Sequence, residues 1–207
     1  MSDGKRQYRK TKRAQLEEAT RLRITESAVE LHGTVGPART SMSAIAERAG
    51  VRRSTLYRHF PDEEAVFAAC SAHWSAANPP PDPGRWQAIE DPDARLRPAL
   101  EDLYAYYRSV ERMMDNLLRD ASQVPVVGRM LGAYRGYLDA AADLLMAGRP
   151  ARGRAQRRVR AALGHALAFP TWRTLAVDQG LDDREAADLM CRLVEAAEAS
   201  RPRAASR

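Results

Sequence analysis

Residues 41–60 constrain the fold more than any other part of the chain, because their pattern is two short helices separated by a tight turn. The hydroxyl of Ser41 can accept a hydrogen bond from an unpaired N–H group at the start of the first helix. Gly50 supplies the left-handed backbone conformation that ends a helix without Cβ strain. Leu56 and Phe60 then place an apolar stripe inward. The segment therefore predicts a helix, a turn and a second helix that pack closely.

The outer face of the second helix is basic, hydroxylic and aromatic. The residues that face outward are Arg52, Arg53, Ser54, Thr55, Tyr57, Arg58 and His59. Such side chains suit the phosphates and the base edges of the DNA major groove. The alternative is a helical hairpin that does not bind DNA. That interpretation does not explain why one face carries so many hydrogen-bonding groups. We therefore expect DNA binding.

The rest of the chain also predicts helices, since its apolar residues recur every three or four positions and no run alternates as a strand does. A first long helix is expected over residues 14–32. The proline-rich segment 78–84 disfavours helix and marks a domain boundary. The prediction is an all-α protein with an N-terminal three-helix helix-turn-helix domain, residues 14–74, and a C-terminal helical bundle, residues 75–207.

The net charge of the chain is +6, and its first residues are strongly basic. The basic arm consists of Lys5, Arg6, Arg9, Lys10, Lys12 and Arg13. It can neutralise phosphates or be a solvated disordered tail, and the two are compatible. No apolar run approaches the roughly 20 residues that span a bilayer, and none follows the arm as in a secretory signal. We expect a cytoplasmic protein without a membrane partner.

The sequence offers no metal site and no catalytic constellation. Cys70 and Cys191 are the only cysteines, and they form neither a metal-binding spacing nor a disulfide framework. Cys70 and His73 share a helix, but two further ligands are missing nearby. No glycine-rich phosphate loop or nucleophile arrangement is recognisable. We therefore expect no metal, no cofactor and no enzyme activity.

The segment around the two short helices resembles the TetR family of bacterial transcriptional regulators. The resemblance rests on Thr40, the helix-turn-helix at 41–60, and the following Pro61, Asp62, Glu63, Glu64, Ala65 and Val66. The stripe of Ile24, Ala28 and Leu31 is similar to the family's first helix. The resemblance implies a homodimeric repressor that binds a near-palindromic operator in double-stranded DNA and is released by a small-molecule effector.

The resemblance also implies roles for single residues. Contacts to the DNA backbone are implied at Thr40 and Ser41, and contacts to base edges at Arg53, Ser54, Thr55 and Arg58. Phosphate contacts are implied at Tyr57 and His59. Two positions depart from the family pattern: Arg52 stands where a small hydroxyl residue often caps the recognition helix, and Glu63 stands where a lysine commonly grips phosphate. Arg52, Arg39 or the basic arm is expected to replace that grip.

For the second domain, the resemblance implies an effector pocket and a dimer interface. The last two long helices, near 158–177 and 183–199, are the expected interface. The effector is expected to be largely apolar. Candidate pocket residues are Tyr104, Tyr107, Met114, Leu117, Leu118, Tyr134, His165, Phe169 and Trp172. Aromatic and methionine side chains at helical spacing are more often plain core, and His165 fits a core or interface position. Pro170 is expected to kink or break its helix near Trp172, which can open a cavity.

A different class of protein also fits the sequence: a helical DNA-binding architectural or recruitment protein without a small-molecule effector. A sizeable enclosed apolar cavity within residues 91–180 would favour a sensor. A filled core in that region would favour the alternative.

Overall fold

The computed structural model describes residues 3–199, apart from the side chains of residues 3–6 and 9. Over this range the chain is helical and contains no strand, so the predicted all-α fold is confirmed. The helices are α1 (Asp3–Thr34), α2 (Met42–Arg48), α3 (Arg53–His59), α4 (Glu63–Ala77), α5 (Gly84–Gln87), α6 (Pro92–Asp120), α7 (Pro125–Met146), α8 (Gly153–Leu167), α9 (Phe169–Trp172) and α10 (Asp183–Ala199). Across residues 3–199, no helix has the length and apolar character needed to cross a membrane.

The chain divides into two compact units that are not separated by a single cut. The first unit comprises Met1–Pro79 and Asp115–Arg129, and the second comprises Pro80–Met114 and Met130–Arg207. The end of α6 and the start of α7 therefore pack with the N-terminal helices. The domain limits at residues 74 and 75 remain a prediction.

Helix α1 begins at Asp3, well before the predicted start at residue 14. The described side chains before Thr20 are exposed, and most belong to good helix formers, so intrinsic propensity extends the helix into solvent. An ion pair between Arg13 and Glu17, one turn apart at 3.0 Å, supports the extension. The side chains of Lys5, Arg6 and Arg9 in the predicted basic arm lie outside the described residues.

The core of the first unit forms where α1, α2, α3 and α4 bring their apolar stripes together. Its buried residues are Ile24, Ala28, Met42, Ile45, Ala46, Ala49, Leu56, Phe60, Val66 and Cys70. Leu31 packs against this cluster and is partly buried. The predicted stripes of α1 and α3 thus face one common core, which fixes the opposite face of α3 toward solvent.

The loop between α1 and α2 requires glycine at one position. Gly36 has a φ of 94°, in the left-handed region that disfavours other residues. A Cβ atom at this position would also overlap the side chains of Arg119 and Asp120. The loop can therefore approach the end of α6 only because residue 36 lacks a side chain.

The second unit is built from α6, α7, α8 and α10, and two buried arginines close its helix ends. Arg95 donates hydrogen bonds to the carbonyls of Leu144 at 2.8 Å and Ala147 at 3.2 Å, at the C-terminus of α7. The guanidinium of Arg149 bonds to Asp93 and Glu198, each at 2.8 Å. Each guanidinium satisfies several groups at once, as its fixed fork of donors permits.

Two reciprocal hydrogen bonds hold the start of α10. The backbone N–H of Glu185 donates to the carboxylate of Asp182 at 2.8 Å, and the Asp182 N–H donates to the Glu185 carboxylate at 3.0 Å. This reciprocal pair is a capping box, which satisfies two otherwise unpaired donors.

Candidate nucleic-acid interface

The turn between α2 and α3 has the geometry that its glycine predicts. Gly50 adopts a φ of 64°, and its N–H donates to the carbonyl of Glu47 at 3.0 Å. The N–H of Val51 reaches back to the carbonyl of Ala46 at 2.9 Å. These two bonds form a Schellman motif, which ends α2 sharply and sets the direction in which α3 leaves.

Helix α3 presents most of its polar side chains to solvent. Leu56 is the buried side chain within the helix, and the buried Phe60 follows as its C-terminal cap. The side chains of Arg53, Ser54, Tyr57 and Arg58 are exposed, as is Arg52 just before the helix. Thr55 and His59 are half-buried. The structure thus brings seven predicted DNA-contacting residues together on or beside one short helix.

Arg53 and Tyr57 lie one turn apart on the exposed face of α3 and contact each other. The Arg53 guanidinium donates to the Tyr57 hydroxyl at 3.4 Å, and its central carbon lies 5.8 Å from the ring centroid. No carboxylate pairs with Arg53 within the part of the chain that the structure describes. The contact orients a guanidinium whose charge is not neutralised by the protein.

Two hydroxyl groups lie at the start of α2. The Ser41 hydroxyl oxygen accepts a hydrogen bond from the N–H of Ala44 at 3.2 Å, so Ser41 is the predicted N-cap. Its own proton remains available for an outside acceptor such as phosphate. Thr40 is half-buried, and its hydroxyl donates to the carbonyl of Gly36 at 2.8 Å. The cap and the loop contact hold both residues in place at the edge of the exposed surface.

The structure shows the positions of Arg52 and Glu63, the two residues that depart from the family pattern. Arg52 occupies the N-cap position of α3 and makes no side-chain cap hydrogen bond. Glu63 is exposed at the first position of α4, where its charge complements the helix dipole. The cap of α4 is Asp62, whose carboxylate accepts from the N–H of Ala65 at 2.8 Å. An acidic side chain thus stands where the resemblance implies a phosphate-binding lysine.

The end of α6 holds the loop that precedes α2, a contact that sequence reasoning missed. Three side chains of α6 bond to backbone groups at the end of α1 and in this loop: Asn116 to the His32 carbonyl at 2.9 Å, Arg119 to the Val35 carbonyl at 3.1 Å, and Asp120 to the Ala38 N–H at 3.0 Å. Hydrogen bonds from Arg119 lower the pKa of Asp120. Since the bonded residues are more than 80 positions apart in the sequence, no local sequence pattern predicts these hydrogen bonds.

His32 is buried beneath this loop and contacts Cys70 of α4. The His32 Nδ1 atom lies 3.4 Å from the Cys70 Sγ atom, and its ring centroid lies 5.2 Å from that of Phe67. Burial lowers the pKa of His32 to about 4 and raises the pKa of the Cys70 thiol to about 11. The pair is therefore neutral near pH 7 and acts as part of the core.

Four of the predicted pocket residues in the second unit form a filled aromatic cluster. Tyr104, Tyr107, Phe169 and Trp172 are almost fully buried. The ring of Tyr107 lies 5.3 Å from that of Phe169 and 5.8 Å from that of Trp172, between centroids. Such spacings are those of packed aromatic pairs. The four rings therefore pack on one another, while an open pocket of about 350 Å³ lies beside the break between α8 and α9 and is lined by His165, Ala168 and Pro170 among others.

The two tyrosines of this cluster satisfy the carbonyls that the break exposes. Pro170 has no N–H, so the Ala166 carbonyl lacks its helical donor, and the Tyr104 hydroxyl donates to it at 2.8 Å. The Tyr107 hydroxyl donates to the Leu167 carbonyl at 2.5 Å and accepts from the Tyr134 hydroxyl. Burial raises the pKa of both Tyr104 and Tyr107, which keeps them protonated as donors.

The remaining pocket candidates are dispersed. Tyr134 is half-buried at the edge of the cluster, where it bonds to Tyr107, whereas His165 is exposed with its Nδ1 atom 3.2 Å from the Thr171 hydroxyl. Met114 is buried in the second unit, whereas Leu117 is buried and Leu118 half-buried in the segment of α6 that belongs to the first unit. The structure therefore does not gather the nine candidates around one cavity within either unit.

An open groove between α7 and α8 is a second candidate for a ligand site in the second unit. Its volume is about 820 Å³. Leu138, Ala142 and Met146 supply apolar lining, while Arg160 lies 3.2 Å from the Asp143 carboxylate at the rim. None of the nine candidate residues lines this groove. Its helices were predicted, but only the fold shows which of their faces are left uncovered.

Comparison with known proteins supports the resemblance noted in the sequence. Residues 24–70 match the family model described as bacterial regulatory proteins, tetR family. This range contains α2, α3 and most of the first unit's core. No curated protein matches the chain in sequence.

Several solved structures share the fold along almost the whole chain. A TetR-like transcriptional regulator from Rhodococcus sp. RHA1 is 22% identical, with a TM-score of 0.62 over 88% of this chain and 97% of that one. The multidrug binding protein EbrR, complexed with imidazole, is 24% identical, with a TM-score of 0.51 over 84% and 93%. FadR from Bacillus subtilis, in complex with stearoyl-CoA, is 17% identical, with a TM-score of 0.50 over 86% and 97%. The predicted resemblance to TetR regulators is confirmed, and so is the all-α fold with its helix-turn-helix.

The buried His32 predicts that the protein loses stability in mild acid. Its pKa is about 4 in the folded state against an ordinary 6.5, so the unfolded chain binds more protons between these pH values. The His32 contribution is complete above pH 6.5, and about 3 kcal/mol is lost as the pH falls to 4. Urea unfolding at a series of pH values measures it.

The His32→Asn variant should show a flatter dependence of unfolding free energy on pH over that range. The exposed His73 provides the control, as His73→Asn removes an imidazole from the same unit without opening a cavity. An His32→Asn variant that kept the wild-type slope would contradict the assignment.

Proposed function

We propose that this protein is a sequence-specific DNA-binding transcriptional regulator, a repressor that a small-molecule effector releases from a near-palindromic operator. The observation that carries the proposal is the exposed face of α3, where Arg53, Ser54, Tyr57 and Arg58 stand on a helix held by a sharp turn and a buried Leu56. The matching family model covers this helix and its core. A short basic helix displayed in this way fits the major groove.

Within the interface, the residues divide between two tasks. Arg53, Ser54, Thr55 and Arg58 contact base edges, while Tyr57 and His59 hold phosphates. Thr40, Ser41 and Arg52 contact the backbone at the edge of the same surface. The exposed Lys10, Lys12 and Arg13 of α1 add positive charge that attracts DNA phosphates irrespective of sequence. Specificity therefore rests on α3, and non-specific affinity on the surrounding cations.

Arg53→Ala should weaken the preference for the operator by about 1–3 kcal/mol, because a guanidinium without a carboxylate partner can bind guanine through two hydrogen bonds. Arg23→Ala removes the same charge from an exposed site on α1 and is the matched control. Fluorescence anisotropy with operator and scrambled duplexes measures the preference. Equal preference in both variants would exclude Arg53 from base recognition, and a wild-type protein without any preference would exclude the regulator itself.

We propose that the homodimer forms through three parts of the chain: α8, the helical segment from Phe169 to Asp178, and α10. Leu189 and Leu193 lie one turn apart on α10 and are 43% and 40% exposed, and Val177 is 39% exposed. Apolar side chains on one helix face favour burial against a second copy. A two-fold axis through this face requires two half-sites, about one DNA helical turn apart or a multiple of it.

A glutamate at Leu193 should break the dimer, because burying an unpaired carboxylate at the interface is strongly unfavourable. Analytical ultracentrifugation of Leu193→Glu should show monomers at concentrations where the wild type is dimeric. Leu16→Glu, at an exposed leucine of α1, is the control and should leave the oligomeric state unchanged. A dimeric Leu193→Glu protein would place the interface elsewhere.

The proposed effector is a largely apolar small molecule that binds the second unit. Support comes from the ligand complexes of two proteins with this fold, EbrR with imidazole and FadR with stearoyl-CoA. The open groove between α7 and α8 offers the volume. An effector with higher affinity for a form of the dimer that binds DNA poorly would lower operator occupancy by its differential affinity for the two states.

The filled aromatic cluster favours a second candidate, a helical DNA-binding architectural or recruitment protein without an effector. Tyr104, Tyr107, Phe169 and Trp172 are almost fully buried and pack on one another where the sequence predicts a pocket. A thermal-shift screen with apolar compounds, including stearoyl-CoA, separates the two candidates. For the sensor we expect a compound that raises the unfolding midpoint and lowers operator affinity. Compounds that leave both unchanged favour the architectural protein.

A further inference from the structure

We propose that Arg21 of α1 is a positioning residue for α3, and that it sets the angle at which this helix meets DNA bases. The inference deepens the proposed function and rests on it. Arg21 lies outside the helix-turn-helix and precedes the range covered by the family model. Its side chain does not need to touch DNA in this role, since it acts through the backbone at the end of α3.

The contact between Arg21 and α3 has two components. The Arg21 guanidinium donates a hydrogen bond to the carbonyl of His59 at 2.9 Å. Its central carbon also lies 4.2 Å from the centroid of the Phe60 ring, within cation–π range. His59 is the last residue of α3, so the cation meets a helix C-terminus, where unpaired carbonyls and the helix dipole favour positive charge.

Helix α3 depends on this contact more than a longer helix would. It has only seven residues, and Leu56 is its buried side chain. Its first turn has no side-chain cap, because Arg52 occupies that position without making the bond. Leu56 and the Phe60 that follows the helix are its apolar anchors in the core. The Arg21 contact adds a polar bond at the backbone of the C-terminal end, opposite the Gly50 turn.

Arg21 is itself held firmly by the rest of α1. Ile24 and Ala28, one and two turns further along the helix, are fully buried in the core of the first unit. Phe60 is also fully buried, so the ring under the guanidinium does not move independently. The contact therefore joins the end of α3 to a fixed part of the scaffold.

The surroundings of Arg21 favour positioning over a direct phosphate contact. The crevice between α1 and α3 is lined by Arg21, Arg58 and His59 together with Glu17 and Glu18. Two carboxylates in the same crevice repel a phosphate. The Arg21 guanidinium is already engaged with the His59 carbonyl, which leaves less of its fork for DNA.

The test compares Arg21→Met, Arg21→Lys and Arg23→Met in the full chain. Methionine keeps an unbranched side chain but removes the charge and the donors, lysine keeps the charge on a single donor nitrogen, and Arg23 is an exposed control on the same helix. The probes are a duplex selected by the wild-type protein from a random-sequence pool and a scrambled duplex of equal composition. Affinities are measured over a range of salt concentrations, at a temperature where circular dichroism shows each variant to be folded.

We expect Arg21→Met to lower the ratio of selected to scrambled affinity by about tenfold, the effect of losing one charge-assisted hydrogen bond. Its dependence on salt should match that of Arg23→Met, and Arg21→Lys should restore part of the ratio. A folded Arg21→Met protein with the wild-type ratio would overturn the proposal. So would equal losses on both duplexes with a salt slope lower by about 1, which is the signature of a phosphate contact.

The proposed function fails in a different way. In that case the pool yields no selected duplex, or the wild type binds both duplexes equally. A selected duplex that Arg21→Met binds as well as the wild type does overturns only the role of Arg21.

Discussion

An all-helical chain must satisfy the backbone groups that each helix end leaves unpaired, and this requirement shapes both units. Side chains meet it at many of the interruptions described. Ser41 and Asp62 cap helix starts locally, whereas Arg21 and Arg95 bring cations to the C-terminal carbonyls of α3 and α7. Arg21 and Arg95 also fix these helix ends to a neighbouring helix of the same unit. At these two ends, capping and tertiary positioning are carried out by the same bonds.

The local part of this scheme could be predicted from the sequence, and the distant part could not. Ser41, Gly50 and the Asp182–Glu185 capping box act on residues within five positions, so their patterns are visible in a short window. The apolar stripe of α3 likewise predicted its exposed face. The contact between Arg21 and His59 spans 38 positions, and exposed arginines are too common for one to stand out.

The aromatic residues of the second unit illustrate a different limit. Tyrosines and tryptophans at helical spacing fit a pocket wall and a packed core equally well, because both need apolar rings facing inward. The break at Ala168 distinguishes the two roles, because Pro170 leaves the last carbonyls of α8 without helical donors. The hydroxyls of Tyr104 and Tyr107 donate to these carbonyls. Their presence is explained by the backbone, and the uncovered groove of this unit lies beside other residues.

The bonds from Asn116, Arg119 and Asp120 to the end of α1 and the loop before α2 have a consequence for how the protein matures. The first unit is assembled from two stretches of chain that are separated by Pro80–Met114. A nascent chain that has reached only Pro79 lacks the donors and the acceptor of α6 that these backbone groups require. The side chains of Arg119 and Asp120, which pack against Gly36, are also missing. Completion of the N-terminal fold is therefore delayed until α6 has emerged from the ribosome. Cotranslational folding of this protein cannot proceed strictly from the N-terminus, even though the helices of its candidate DNA interface are synthesised first.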